Sequence, residues 1–243
     1  MSATAVIEAI GVTKSLGEGA GEVQALKGID LAVAGGELTL LMGPSGSGKT
    51  TLLSVLGCML TPTNGTVRVR EQSTAGASAE ELAKIRRDHV GFVFQSYHLF
   101  PTLTAADNVR LALDVRGEAG PDAVAKAHDA LVQLGLGHKT DSLPRELSGG
   151  EQQRVAIARA IVGDPSVILA DEPTAALDTK NGQAIMTILA RIARDSSRGV
   201  LVVTHDPRLE TYADRIVRIE DGNLVGEERP AERRIEKPMR MAV

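Results

Sequence analysis

Three runs of nearly continuous apolar residues, 37–42, 167–170 and 200–203, have strand length but lack the polar alternation of a half-exposed strand. They predict strands buried on both faces, as in a parallel sheet. Other stretches, 49–57, 151–162 and 179–195, carry apolar residues at helical spacing, and in the last of these Ala184, Ile185, Ile188, Leu189 and Ile192 share one face. Strand-length runs alternating with helical ones predict an α/β fold, a parallel sheet covered by helices. Segment 215–225 breaks the pattern: Ile216, Val217 and Ile219 are followed by Asp221-Gly222 and then by Leu224 and Val225, the signature of a hairpin with a two-residue turn. Between the helical stretch 49–57 and residue 165 the pattern turns mainly helical, carried by residues 123–134 and the segment after Ser148, which predicts a helical subdomain inserted in the α/β core. The small-residue stretch 73–79 reads as a surface loop, and no internal repeat is visible.

Composition narrows the class. The 243 residues, 43% of them hydrophobic, suffice for one large domain or two small ones and exclude disorder of the whole chain. The apolar runs fall far short of the roughly 20 residues that a membrane helix requires. The first eight residues have neither the basic nor the long apolar region of a secretory signal, so a cytosolic location is expected. Cys58 is the single cysteine, which rules out an intramolecular disulfide, and its apolar neighbours predict a small buried side chain. A net charge of −4 with both signs interspersed argues against a nucleic-acid partner. Residues 226–243 mix charges without periodicity and read as a loosely packed tail.

Three segments carry chemistry. Gly43-Pro44-Ser45-Gly46-Ser47-Gly48-Lys49-Thr50 fits G-x-x-x-x-G-K-[ST] and stands between a predicted strand and a predicted helix. There, backbone N–H groups and the helix N-terminus cradle phosphates, Lys49 reaches the β- and γ-phosphates, and Thr50 offers a hydroxyl to Mg²⁺. Residues 167–172 form a buried strand ending in Asp171-Glu172, at the edge where open α/β sheets bind ligands. With a phosphate loop upstream, Asp171 reads as a Mg²⁺ holder and Glu172 as the group that polarises the attacking water. Leu147-Ser148-Gly149-Gly150-Glu151-Gln152 opens a second helix, with Ser148 as cap and two glycines that admit close backbone approach. Because the chain has one phosphate loop, this second donor cluster points to the same nucleotide being contacted from another subunit.

With that segment the chain resembles the ATP-binding cassette (ABC) family over about residues 6–225, taken as one nucleotide-binding domain, 1–225, followed by the tail. The resemblance implies a phosphate-loop NTPase core with a mainly parallel sheet, an N-terminal antiparallel β part and a helical subdomain at roughly 97–163. It implies Mg²⁺-dependent ATP hydrolysis by a homodimer that sandwiches two ATP molecules. Each ATP would be held by residues 43–51 of one copy, Thr51 included, and by Ser148, Gly149 and Gly150 of the other. Gln95 matches the loop that senses Mg²⁺ and the attacking water, Asp178 the aspartate loop across the dimer, and His205 the switch histidine at the γ-phosphate. Integral membrane permease subunits, with a periplasmic adaptor as a further candidate, are the implied partners, which places the chain peripherally on the cytoplasmic side of the inner membrane. Residues 14–19, 56–63 and 94–99 resemble the lipoprotein-release, macrolide-export and heterocyst-glycolipid-export type; an importer ATPase and a non-transport cytosolic ABC ATPase are the alternatives.

One position departs from the family. Where an aromatic usually stacks on adenine, this chain has Leu16, and no Phe, Tyr or Trp precedes Phe92. Weak discrimination among purine triphosphates is therefore expected. Most of the aromatic residues present gather around Gln95: Phe92 and Phe94 alternate with Val93 and Gln95 and read as strand core, whereas Tyr97 and Phe100 read either as a pocket for a partner's coupling helix or as local packing.

Overall fold

The computed structural model describes residues 4–230. Within them the chain forms two sheets. Strands β1 (Ala5–Leu16) and β2 (Val23–Ala34) make a long antiparallel hairpin, and β4 (Asn64–Val69) and β5 (Gln72–Ser73) extend it in the order β2-β1-β4-β5. The second sheet runs β10 (Asn223–Glu228), β9 (Arg215–Glu220), β3 (Leu38–Met42), β8 (Gly199–Thr204), β7 (Val167–Asp171), β6 (Val90–Val93). All its neighbours are parallel except β10, which is antiparallel to β9.

The continuous apolar runs follow from this layering. Successive residues of a strand point to opposite faces, and both faces of β3, β7 and β8 are covered. Leu38, Leu40, Ile168, Ala170, Val200 and Val202 join one core with helices α3 (Ala105–Asp114), α4 (Pro121–Gln133), α5 (Gly149–Ile161) and α6 (Thr179–Ile192). Their alternates Leu41, Leu169, Leu201 and Val203 join another, with α1 (Lys49–Leu56) and the antiparallel sheet. Helices α3, α4 and α5 pack against one another inside the region read as a helical insertion. The turn of the β9–β10 hairpin is Asp221-Gly222, both at positive φ, as a two-residue turn that follows strand twist requires.

Three expectations are revised. The stretch 73–79 is not simply a surface loop: Ser73 belongs to β5, Thr74 is buried with its hydroxyl accepting the Val67 N–H at 3.1 Å, and Ser78 caps helix α2 (Ala79–His89). The tail boundary moves outward, because β10 continues to Glu228 and its Glu227 pairs with Arg215 while Arg229 reaches the buried Glu37. Residues 231–243, which hold most of the expected tail, lie outside the described residues. Phe92 and Phe94 are only half-buried, since β6 is an edge strand that ends at Val93; Phe92 packs against the α1-side core, and its ring stacks 4.5 Å from that of Phe94, which lies beyond the strand beside a groove.

Candidate functional site

Parallel strands deliver their carboxyl ends to one edge of the sheet. β3 runs into the loop 43–48, β7 into Asp171-Glu172, β8 into His205, and β6 towards Gln95. Because β8 lies between β3 and β7, His205 emerges between the phosphate loop and the two carboxylates. The phosphate loop, Glu172 and His205 border a cleft of about 850 Å³ that also includes Leu16, Pro44, Ser45, Gly46, Thr51 and Gln95, and Asp171 is joined to it through Thr50.

The loop is shaped for an anion. Gly48 precedes α1 at φ 99°, and a Cβ there would stand 2.6 Å from the Ala25 carbonyl oxygen, so only glycine lets the helix start this close to the β-hairpin. The head of α1 has no side-chain cap, which leaves its N–H groups to the loop and a ligand. Lys49 is buried and folds back over the loop, donating to the carbonyls of Gly43 (2.8 Å) and Pro44 (2.6 Å). Burial lowers its pKa, and the nearby Glu172 and Asp171 charges act against that.

Opposite, Thr50 donates to Asp171 Oδ1 at 3.3 Å. Desolvation raises the Asp171 pKa; the Thr50 hydrogen bond and the Lys49 charge oppose that, and Glu172 adds to it. Hydroxyl and carboxylate are hard oxygen donors that suit Mg²⁺, which characteristically uses one or two protein groups with water and phosphate. Among the described residues no cluster of three or more His, Cys, Asp or Glu could hold a metal by itself. Glu172 lies beyond Asp171 in the left-handed region, φ 47°, with Oε1 2.7 Å from His205 Nδ1. The His205 ring is largely exposed at the edge of the cleft.

The structure does not bring every candidate residue into the cleft. Ser148, Gly149 and Gly150 open α5 away from it; Ser148 is exposed and forms a reciprocal capping box with Glu151, Gly149 is half-buried and Gly150 is buried. Asp178 is likewise outside the cleft, capping α6 by accepting the Asn181 N–H at 2.9 Å; that bond lowers its pKa. Ser148 and Asp178 thus stand exposed on a second surface, apart from the cleft.

Two residues of α5 were not singled out by the sequence reading. Arg159 donates to the carbonyls of Tyr97 (2.8 Å) and His98 (2.6 Å), holding two successive positive-φ residues just after Gln95. Gln153 is fully buried and donates to the Pro173 carbonyl at 2.8 Å. A polar residue four positions before the buried Ile157, on an otherwise apolar helix face, was the available signal. A larger groove of about 1060 Å³, lined by Phe92, Phe94, His98, Phe100, Val115 and Arg159, lies away from the phosphate loop.

Comparison with known proteins agrees with this geometry. The family described as ABC transporter matches residues 26–175. The macrolide export ATP-binding/permease protein MacB 1 of Aeromonas hydrophila is 45% identical over 224 residues, 92% of this chain and 34% of that protein. MacB of Escherichia coli K12 is 44% identical over 222 residues, 91% of this chain and 34% of its own length. The chain thus spans about a third of these relatives. Among solved structures, the dimeric ATP-binding cassette MJ0796 in a post-hydrolysis state with ADP and Pi is 41% identical with a TM-score of 0.84, covering 92% of this chain and 98% of that one. CbiO1 of Clostridium perfringens, part of the cbiONQ ABC transporter complex, is 28% identical with a TM-score of 0.82, covering 93% and 88%.

Proposed function

Since the chain belongs to the ABC transporter family, with the family match spanning residues 26–175, we propose that it is a Mg²⁺-dependent ATPase working as a homodimer that drives export through a membrane permease. The observation that carries the reading is the split arrangement. The phosphate loop with Thr50, to which Asp171 is bonded, and the Glu172–His205 pair share one cleft, whereas Ser148 at the head of α5 faces out from another part of the chain. A second copy in a head-to-tail arrangement would complete each cleft with that helix head.

In the closed site the phosphate loop and Lys49 would bind the triphosphate, Thr50 and Asp171 would hold Mg²⁺, and Gln95 would add a polar group beside them. Mg²⁺ supplies charge neutralisation of the phosphates. Glu172 accepts the proton of the attacking water, and His205, hydrogen-bonded to it, keeps its carboxylate directed into the cleft. Release of the γ-phosphate removes the anion shared by the two copies, and the dimer opens.

Among the described residues no helix is long and apolar enough to cross a membrane. The cassette would sit peripherally against the permease, on the cytoplasmic side. The groove beside β6 is the docking site we assign to it. Phe100 and Val115 are exposed there, and Arg116 and Arg159 donate to backbone carbonyls instead of carboxylates, which favours a permease segment with acidic residues. Similarity to the MacB proteins supports export as the direction.

The test combines sedimentation and turnover. Glu172→Gln with Mg-ATP should sediment as a dimer that does not hydrolyse, and ADP should leave it monomeric. A chain that hydrolyses ATP with unchanged specific activity at any dilution refutes the shared site. A membrane permease co-purifying with the chain, and lost on Phe100→Asp, supports the docking assignment.

A further inference from the structure

The fully buried Gln153 is an anomaly among the apolar residues of α5. Its Nε2 donates to the Pro173 carbonyl at 2.8 Å, while its Oε1 finds no hydrogen-bond partner. The assignment of the amide is fixed by chemistry, since a carbonyl can only accept. An unsatisfied buried acceptor is unfavourable for folding, so an apolar residue of similar volume would suit the helix better. What glutamine supplies is the bond.

That bond ends one residue beyond Glu172. Glu172 is a non-glycine residue at φ 47°, a conformation that persists only where neighbours hold it. Three holds are visible: the Glu172 N–H donates to the Val203 carbonyl at 3.0 Å, the Glu172 carbonyl accepts from the Ala175 N–H at 3.2 Å, and Gln153 grips Pro173. The first two come from β8 and from the loop itself. The third comes from α5, whose opening residues Ser148, Gly149 and Gly150 are proposed to complete the partner copy's site. The same helix head also abuts the far end of the loop, for a Cβ on Gly150 would lie 2.6 Å from Asn181 Oδ1, and Asn181 is bonded to Asp178. Helix α5 therefore touches the catalytic loop near both of its ends.

We infer that Gln153 is a positioning residue that ties the placement of Glu172 to the state of the α5 head, so that the surface completing the partner copy's site also sets the catalytic carboxylate of its own. The inference rests on the proposed ATPase dimer. Closure of one site, by drawing the head of α5 onto the partner's nucleotide, would pull through Gln153 on Pro173 and bring the other site's Glu172 into register.

The experiment uses the full chain with Gln153→Met, which keeps length and apolar volume but cannot donate, and Gln153→Leu as a second variant. The expected result is a kcat at least tenfold below wild type, with KM for Mg-ATP and nucleotide affinity within twofold and no substantial fall in thermal midpoint. Placed in the Glu172→Gln background, the substitution should leave the ATP-dependent dimer intact and lower residual turnover no further, because it acts through Glu172. A kcat within twofold of wild type overturns the inference while leaving the ATPase reading in place. So does a kcat loss accompanied by an equal loss of affinity or a collapse of the thermal midpoint, or failure of both variants to fold, since each assigns Gln153 a purely structural role. Absence of turnover in the wild type overturns both readings.

Discussion

Replacing Leu16 with tyrosine should tighten nucleotide binding without touching the phosphate loop. Leu16 closes β1 and pairs across the hairpin with Val23, and both line the cleft, 40% and 64% exposed. Full burial of a leucine is worth about 1.5–3 kcal/mol. With 40% of Leu16 still exposed, a base laid over it recovers roughly 0.6–1.2 kcal/mol. Stacking on an aromatic ring contributes about 1–3 kcal/mol per base. The difference favours tyrosine by about 1 kcal/mol, or roughly fivefold in Kd. Leu16 and Val23 offer no hydrogen bonds by which to tell purine edges apart, so wild-type affinities for ATP and GTP should agree within about threefold. Titration calorimetry in the Glu172→Gln background measures binding without turnover. GTP binding tenfold weaker than ATP in the wild-type cleft, or no gain for either nucleotide in Leu16→Tyr, would show that the base does not lie on this hairpin.

Other residues give separable outcomes. Glu172→Gln should reduce steady-state hydrolysis by about 10²–10⁴-fold, whereas Lys49→Ala should abolish nucleotide binding itself; a fluorescent-nucleotide titration beside a phosphate-release assay separates the two. Gly150→Ala forces a Cβ against Asn181 and should weaken ATP-dependent dimerisation while leaving nucleotide affinity of the isolated chain unchanged, as sedimentation would show. Burial pushes the Cys58 thiol from 9.0 up to about 11. The stability tied to its protonated form is therefore fully present below pH 9 and lost as pH rises towards 11. Across that range wild type should lose on the order of 2 kcal/mol more unfolding free energy than Cys58→Ala, a difference that urea titrations at several pH values would reveal.

What could be read along the chain was what is local. The phosphate loop, the Asp171-Glu172 pair and the Ser148 helix head are each consecutive residues whose geometry depends on one strand or helix junction. Their placement in cleft or on outer surface depends on strand order, which no local pattern records. The same gap explains Phe92 and Phe94: alternation marks them as strand residues, but whether a strand is central or at the edge is decided by β7 pairing with it on one side only. Arg159 was illegible for a related reason, since the carbonyls it holds lie some sixty residues earlier in the chain. Mixed charge at 226–229 concealed the end of β10, where those charges are matched: Glu227 with Arg215, Glu228 with Arg218, Arg229 with Glu37.

The division of the interior into two cores has a consequence for how such a chain can change over time. The layer of α1 and the antiparallel sheet carries the phosphate loop, and the layer of α3, α4 and α5 carries the outward helix head. Successive side chains of β3, β7 and β8 face one core or the other. Substitutions facing one core need not be answered in the other. A lineage could thus refit α3 and α4 to a new partner while its fuel chemistry stayed fixed, and exchanging residues 105–133 between related cassettes is the laboratory form of the same step.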